Sequence, residues 1–279
     1  MVLPNSYPFF WLGPVAVLSS TILSVGSGVF FSGNIGETSC KWKLAYSPHS
    51  RVFSIWTIIY ISTFASAAAQ LSSRLSVDFV VLSPITNALW ALSWLFCAAW
   101  TPIFSLESPT ALLVAALVLT AAACAATAAL AHERVWLLQT ESRMVSVLTT
   151  IPLSLLAGWV IVAAALGLGI AAKALNPSIQ PLACDSPLRR VGEELNAFRE
   201  RRRTFFRQIS ETTPARVSAV PVLLSVVVAV LSAALPDAIL TLPLAWAVVN
   251  LRAFPSVAYI FSLFVLSAGA ALAFVRSSY

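Results

Sequence analysis

Phe53, Trp56 and Tyr60 sit at i, i+3 and i+7 where a polar loop enters a long apolar run, so a helix aligns three large aromatics in one stripe. Asn87, Trp90 and Trp94 repeat that spacing in a second apolar run, and Trp159 stands midway along a third. If the runs are neighbouring helices, these side chains converge on one pocket or one seam. Two uses fit the pattern. Trp and Tyr offer flat, polarizable walls with one polar handle each, and stacking a planar ligand on them adds about 0.5–1.5 kcal/mol per pair beyond area burial. The same spacing equally suits aromatic packing between helices. Asn87 is costly in an apolar run unless paired, so it contacts either a ligand or a neighbouring helix. Arg51, at the mouth of the stripe, can meet a carboxylate or extend toward lipid headgroups.

Other chemistries find little support. The two histidines, His49 and His132, fall outside the apolar runs, which disfavours a paired-histidine metal or haem site within them. Acids are almost absent from those runs, which disfavours a proton relay or ion-coupled transport. There is no Gly-rich phosphate loop, nucleophile elbow or metal-ligand cluster, so the chain is read as non-enzymatic, with no required cofactor. Cys40, Cys97, Cys124 and Cys184 form no C-x-x-C pair and are read as small buried residues or free thiols. Basic residues exceed acidic ones by six and cluster beside apolar segments, so nucleic acid is not an expected partner.

The elements that must position the aromatics follow from composition. Of 279 residues, 59% are hydrophobic and 10% charged, where soluble domains carry about 25% charge, so the chain is read as an integral membrane protein. Spans of about 20 apolar residues fill nearly its whole length. The first runs from Trp11 to Phe31, with Ser20, Ser24 and Gly28 at four-residue steps that favour close helix approach. A loop from Ser32 to Arg51 is long enough to fold over a bundle end. Spans two to five are expected near 52–71, 79–100, 110–131 and 145–171. The fourth carries Ala116, Thr120, Cys124 and Ala128 as a small-residue ladder, and the fifth is interrupted by Pro152.

Residues 172–216 break the apolar pattern and hold nine of the seventeen basic residues. Ser186-Pro187 has the form of a helix start, and Leu188 to Ile209 follow an approximate amphipathic spacing. That segment suits either an anionic lipid surface or partner docking, or simply a solvated linker. Residues 217–279 contain three further runs, near 217–235, 238–250 and 255–275. The middle one is short and contains Pro243, giving seven or eight spans. With eight, loops on one side hold thirteen basic residues against four on the other, which places the polar loop and the basic insert on a cytosolic, stromal or matrix-like side. The first forty residues lack Lys and Arg, so neither a secretory signal nor a mitochondrial presequence is recognisable. Either the first helix is the targeting signal, or a presequence has been removed.

Pro48 with Phe53-Ser-Ile-Trp56 and Tyr60, then Asn87-x-x-Trp90-x-x-x-Trp94, then Pro152-Leu-Ser-Leu-Leu-Ala-Gly-Trp159 with Ala163 and Leu166, resembles the translocator-protein (TspO / peripheral benzodiazepine receptor) family. Leu242-Pro243-Leu-Ala-Trp246 resembles the trailing helix of its longer branch, the tryptophan-rich sensory proteins. The resemblance implies an all-α, polytopic transmembrane helical bundle: a TspO-like five-helix core over 1–171, a basic insert over 172–216 and two or three additional helices over 217–279. It also implies a cavity, closed by the loop after the first helix, for a porphyrin-like, sterol or other lipophilic ligand. Phe53, Trp56, Tyr60, Asn87, Trp90, Trp94 and Trp159 stand at the positions expected to line it. Three positions depart from the family pattern: Ser50 and Arg51 stand where a Pro and a Trp are usual before the stripe, and Gly167 stands where an Asn is common. The expected partners are membrane lipids, a hydrophobic small molecule and a second copy or larger membrane complex, in a mitochondrial or chloroplast membrane. The alternative is a structural accessory subunit of a large organellar complex that has kept the bundle.

Overall fold

A computed structural model describes residues 12–44, 47, 50–72, 82–137, 143–182, 226–231, 234 and 238–249. These residues form helices and no strands. They comprise α1 (Leu12–Phe30), α2 (Ser32–Lys41), a 3-10 turn at Ser50–Ser54 leading into α3 (Ile55–Ser72), α4 (Pro84–Phe104), α5 (Pro109–Leu137) and α6 (Arg143–Ala174). A 3-10 turn at Ala238–Thr241 then leads into α7 (Leu242–Val249).

Among the described residues, five helices are long and apolar enough to cross a membrane: Leu12–Phe30, Val52–Ser72, Pro84–Phe104, Pro109–Val135 and Thr150–Ala174. They turn large apolar side chains outward, among them Ile22, Leu23, Ile58, Ile61, Leu95 and Leu117. Water would penalise such a surface, and a bilayer does not. The chain is a multi-pass integral membrane protein. The expected amphipathic helix at 186–209, its Ser186 cap and the last span near 255–275 lie outside the described residues.

Local chemistry sets the boundaries. Ser83 caps α4, its Oγ accepting from the Thr86 N–H at 3.0 Å, and Pro84 supplies the first helical residue without losing a backbone bond. α4 therefore starts five residues later than its apolar run suggests. Pro152 was expected to interrupt the fifth span, yet α6 continues through it. Neighbouring helices in an apolar medium hold such a helix together despite the missing N–H. α5 also runs past the end of its span expected near 131, so the residues from His132 to Leu137 are helical.

Two details of the small-residue ladders differ from expectation. On α1, Ser20 and Ser24 are buried, but Gly28 has no neighbour within 4 Å of the position a side chain would occupy. On α5 the buried ladder is Ala115, Leu119, Ala122, Ala126 and Ala129, while Cys124 and Ala128 face outward. Spacing finds a ladder of small residues but not its azimuth, because alanines occupy several faces of this helix. Polar bridges fasten the seams: Ser27 Oγ donates to Ala98 O at 2.9 Å, and Ser93 Oγ donates to Ala122 O at 3.0 Å.

Among the described residues, the 238–250 run forms only a short helix. Its helix, α7, has eight residues and a length of about 12 Å, short of the roughly 30 Å apolar core of a bilayer. It seats against α6 where Gly158 leaves room, and Leu240 and Leu244 enter the bundle core.

Candidate functional site

The aromatic stripe of α3 faces inward, toward α4 and α6. Trp56 and Tyr60 stack at 5.5 Å between ring centroids, and Tyr60 stacks on Trp94 of α4 at 5.2 Å. Trp56 also meets Trp94 at 6.1 Å and lies edge-on to Trp159 of α6 at 6.1 Å. Phe53 completes the group with an edge contact to Trp159 at 6.0 Å. Five of the seven residues singled out from spacing thus form one continuous cluster from three helices. Trp94 and Trp159 are fully buried, Trp56 and Tyr60 are half-buried, and Phe53 is exposed at the rim. The Tyr60 hydroxyl lies 3.5 Å from Ser24 Oγ, which extends the cluster to α1.

Trp90 is buried in the same core but stands outside these ring contacts. Asn87 is elsewhere, about 10 Å along α4 from Trp94. Its Nδ2 donates to Gln70 Oε1 and to Leu82 O, each at 3.3 Å, so it bonds helix to helix. Gly13 lets α1 approach it: a Cβ there would stand 2.8 Å from Asn87 Cβ and Nδ2. At this same end His132 Nδ1 lies 3.1 Å from both Ser83 Oγ and Thr86 Oγ1. No group of three metal-ligating side chains occurs among the described residues. The side chains of Arg51 and His49 lie outside the described set.

Within the aromatic core, the indole Nε1–H groups of Trp90, Trp94 and Trp159 are buried and have no protein hydrogen-bond partner. An unmet buried donor costs about 1–3 kcal/mol. Trp90 and Trp94 lie on α4 and Trp159 on α6, and each N–H calls for an acceptor. Gly167, where the resemblance implies an Asn, faces α5: a Cβ there would stand 3.4 Å from Ala116 Cα and Cβ. The substitution therefore tightens the α5–α6 seam.

The loop after α1 folds over one end of the bundle, as its length suggested, but α2 gives it helical form. Trp42 and Leu44 are buried against Phe104, Leu112, Ala115, Ala116, Ile170, Ala171 and Ala174. Lys41 Nζ pairs with Glu107 Oε2 at 2.6 Å and with Glu37 Oε1 at 2.9 Å, and Thr38 Oγ1 donates to Glu107 Oε1 at 3.2 Å. Hydrogen bonding to Glu107, and then to Glu37, holds the Lys41 ammonium above its ordinary range. Glu107 adopts a left-handed backbone conformation (φ 59°) in the α4–α5 turn, an uncommon state for a residue with a side chain. Lys173 Nζ donates to Lys43 O at 2.7 Å, and Leu182 N donates to Lys41 O at 2.9 Å.

These latch residues were missed in the sequence. The only signal was a single acid, Glu107, in the short turn that must lie at the same bundle end as the basic loop. Cys40 corrects a further expectation, since it is disulfide-bonded, whereas buried Cys97 and exposed Cys124 are free thiols. Cysteine spacing is blind to a pairing made by tertiary folding.

The described residues are thus a polytopic α-helical membrane bundle, with five helices of membrane-spanning length, an inward aromatic cluster and a helical segment over one end. The family model described as TSPO-like protein matches residues 10–181, more than half of the chain, and the chain belongs to that family. Neither a curated protein nor a solved structure matches it.

Proposed function

We propose that the protein is a non-enzymatic, translocator-type binder of a lipophilic, planar molecule of porphyrin, sterol or related shape, held at the aromatic cluster beneath the lid. The observation that supports this most is the pair of buried, unpartnered indole donors of Trp94 and Trp159, whose rings belong to the cluster with Trp56 and Tyr60. Flat rings provide stacking faces, and the N–H groups provide acceptors' partners for carbonyl, hydroxyl or carboxylate oxygens. Membership of the TSPO-like family supports the same reading. The short tryptophan-bearing α7 fits the longer, tryptophan-rich sensory branch, and the expected setting is a mitochondrial or chloroplast membrane.

The test is titration of the full chain in lipid nanodiscs with protoporphyrin, followed by tryptophan emission. Saturable quenching is expected, and Trp94→Leu should weaken it by about tenfold through loss of one stacking face and one donor. Unchanged emission together with no saturable binding of porphyrin or sterol refutes the proposal.

A second reading, an accessory subunit of a larger membrane complex, is favoured by one observation. The rings of Trp56, Tyr60, Trp94 and Trp159 contact one another directly, as they do when side chains fill the space a ligand would take. Co-purification with a large complex from native membranes, without any porphyrin effect, would select it.

A further inference from the structure

We propose that the bundle holds a second, uncharged polar site beneath the aromatic cluster, contributed by Thr63, Ser66 and Trp90, which takes the hydroxyl or carbonyl end of a lipophile and turns away a carboxylate. This rests on the binding role proposed above and adds the class and orientation of the ligand. Two ties between α3 and α4 fix the place. Toward the lid, Tyr60 stacks on Trp94, and at the far end Asn87 Nδ2 donates to Gln70 Oε1 at 3.3 Å. At 1.5 Å per residue these ties bound an interval of about 15 Å on α3 and about 10 Å on α4. Thr63 and Ser66 lie within it on α3 and Trp90 within it on α4, and all three are buried.

Polar atoms in this interval lack what similar atoms in the bundle have. Ser20, Thr21, Ser62, Thr120 and Ser154 each donate to a backbone carbonyl three or four residues earlier, the ordinary way to satisfy a hydroxyl in an apolar helix. Thr63 Oγ1, Ser66 Oγ and Trp90 Nε1 have no hydrogen-bond partner among the described residues, nor has Asn87 Oδ1 at the floor of the interval. Lipid does not reach them either, since α1 packs on both α3 and α4, and α6 packs on α3. Protein interiors rarely leave so many polar atoms unmet in one place. Two hydroxyls, one indole donor and one amide oxygen match a group that donates, accepts or does both, as an alcohol or ketone does. Water can fill the same role when no ligand is bound.

The surrounding helices decide the charge. α1, α3 and α4 contain no Asp, Glu, Lys or Arg, and α6 carries Arg143 and Lys173 only at its two ends. Lys173 Nζ is engaged at the lid, where it donates to Lys43 O. α5 places His132, Glu133 and Arg134 in its last turns, where His132 meets Ser83 and Thr86 beyond the Asn87 floor. No described cationic side chain therefore faces the interval to offset an ionised carboxylate, whose unpaired burial costs far more than one hydrogen bond returns. The lipophile thus lies with its neutral polar end toward Asn87 and its flat body against Trp56, Tyr60 and Trp94.

The experiment uses the full chain in nanodiscs and three probes that share one flat body: pyrenemethanol, pyrene and pyrenecarboxylate. Energy transfer from tryptophan to pyrene reads binding, and empty nanodiscs correct for partition into lipid. Pyrenemethanol should bind about three- to tenfold more tightly than pyrene, the worth of one buried hydrogen bond, and pyrenecarboxylate more weakly than either. In Thr63→Val/Ser66→Ala the preference for the alcohol over the hydrocarbon should fall to about one. That variant, free of ligand, should melt no lower than the wild type, because it loses two hydroxyls that bond nothing in the protein. Thr120→Val, whose hydroxyl is bonded within its own helix, should keep the preference. Equal binding of the three probes, tightest binding of the carboxylate, or a preference that survives in the double variant overturns this inference and leaves the binding role standing. No saturable binding of any probe, where protoporphyrin still quenches, does the same; failure of protoporphyrin as well removes both.

Discussion

Gly158→Ala should loosen the C-terminal segment from the bundle. A Cβ at position 158 would stand 2.4 Å from the Leu240 carbonyl oxygen and 3.0 Å from Pro243 Cγ. Relaxed contacts lie near 3.5 Å, so the 3-10 turn before α7 must retreat by about 1 Å. Neither obstacle is the free end of a flexible side chain. Overpacking of this kind costs about 1–3 kcal/mol, against which alanine regains about 1 kcal/mol of helix propensity. Gly26 on α1 supplies the control, since nothing lies within 4 Å of its would-be Cβ, and Gly26→Ala keeps the propensity gain alone. The two variants should therefore differ by about 1–3 kcal/mol. For a chain of this size each kcal/mol moves the midpoint by roughly 2–4 °C, so Gly158→Ala should melt about 2–12 °C below Gly26→Ala. Thermal unfolding in nanodiscs followed by intrinsic fluorescence measures this, because Leu240 and Leu244 share the core with Trp159. Equal midpoints would refute the close docking of α7 on α6.

Asn87→Ala should cost about 1–3 kcal/mol of stability by removing its bonds to Gln70 and Leu82 O, yet change porphyrin affinity less than about twofold. A large affinity loss in the folded variant would return Asn87 to the binding site. Glu107→Gln should increase protease access to α2 and remove the salt dependence of lid closure, read by limited proteolysis across ionic strength. In the unaltered chain the same latch should hold at neutral pH and weaken as pH rises past the ordinary lysine value of 10.5 toward the raised folded-state value, because only the charged ammonium makes the bond. Exchange at α2 amides that stays flat across that range would argue that Lys41 contributes nothing to closure.

Much of this architecture is legible in the residues alone. Long apolar runs with few charges must become membrane helices, since lipid offers no partner to a bare backbone, and i, i+3, i+7 spacing must put Phe53, Trp56 and Tyr60 on one stripe. What spacing leaves open is azimuth and depth. Trp94 and Asn87 share the stripe of α4, yet one enters the aromatic cluster while the other ties helices together two turns away. The difference arises from which helix passes each level of the bundle, a fact no single segment contains. The lid latch and the Cys40 disulfide depend on the same thing, because Lys41 and Glu107 are 66 residues apart and meet only when five helices bring their ends together. Local composition decided that this chain lives in a membrane and which faces are aromatic; tertiary packing decided which of those side chains face one another, because contact at distance in sequence is a property of the assembled bundle.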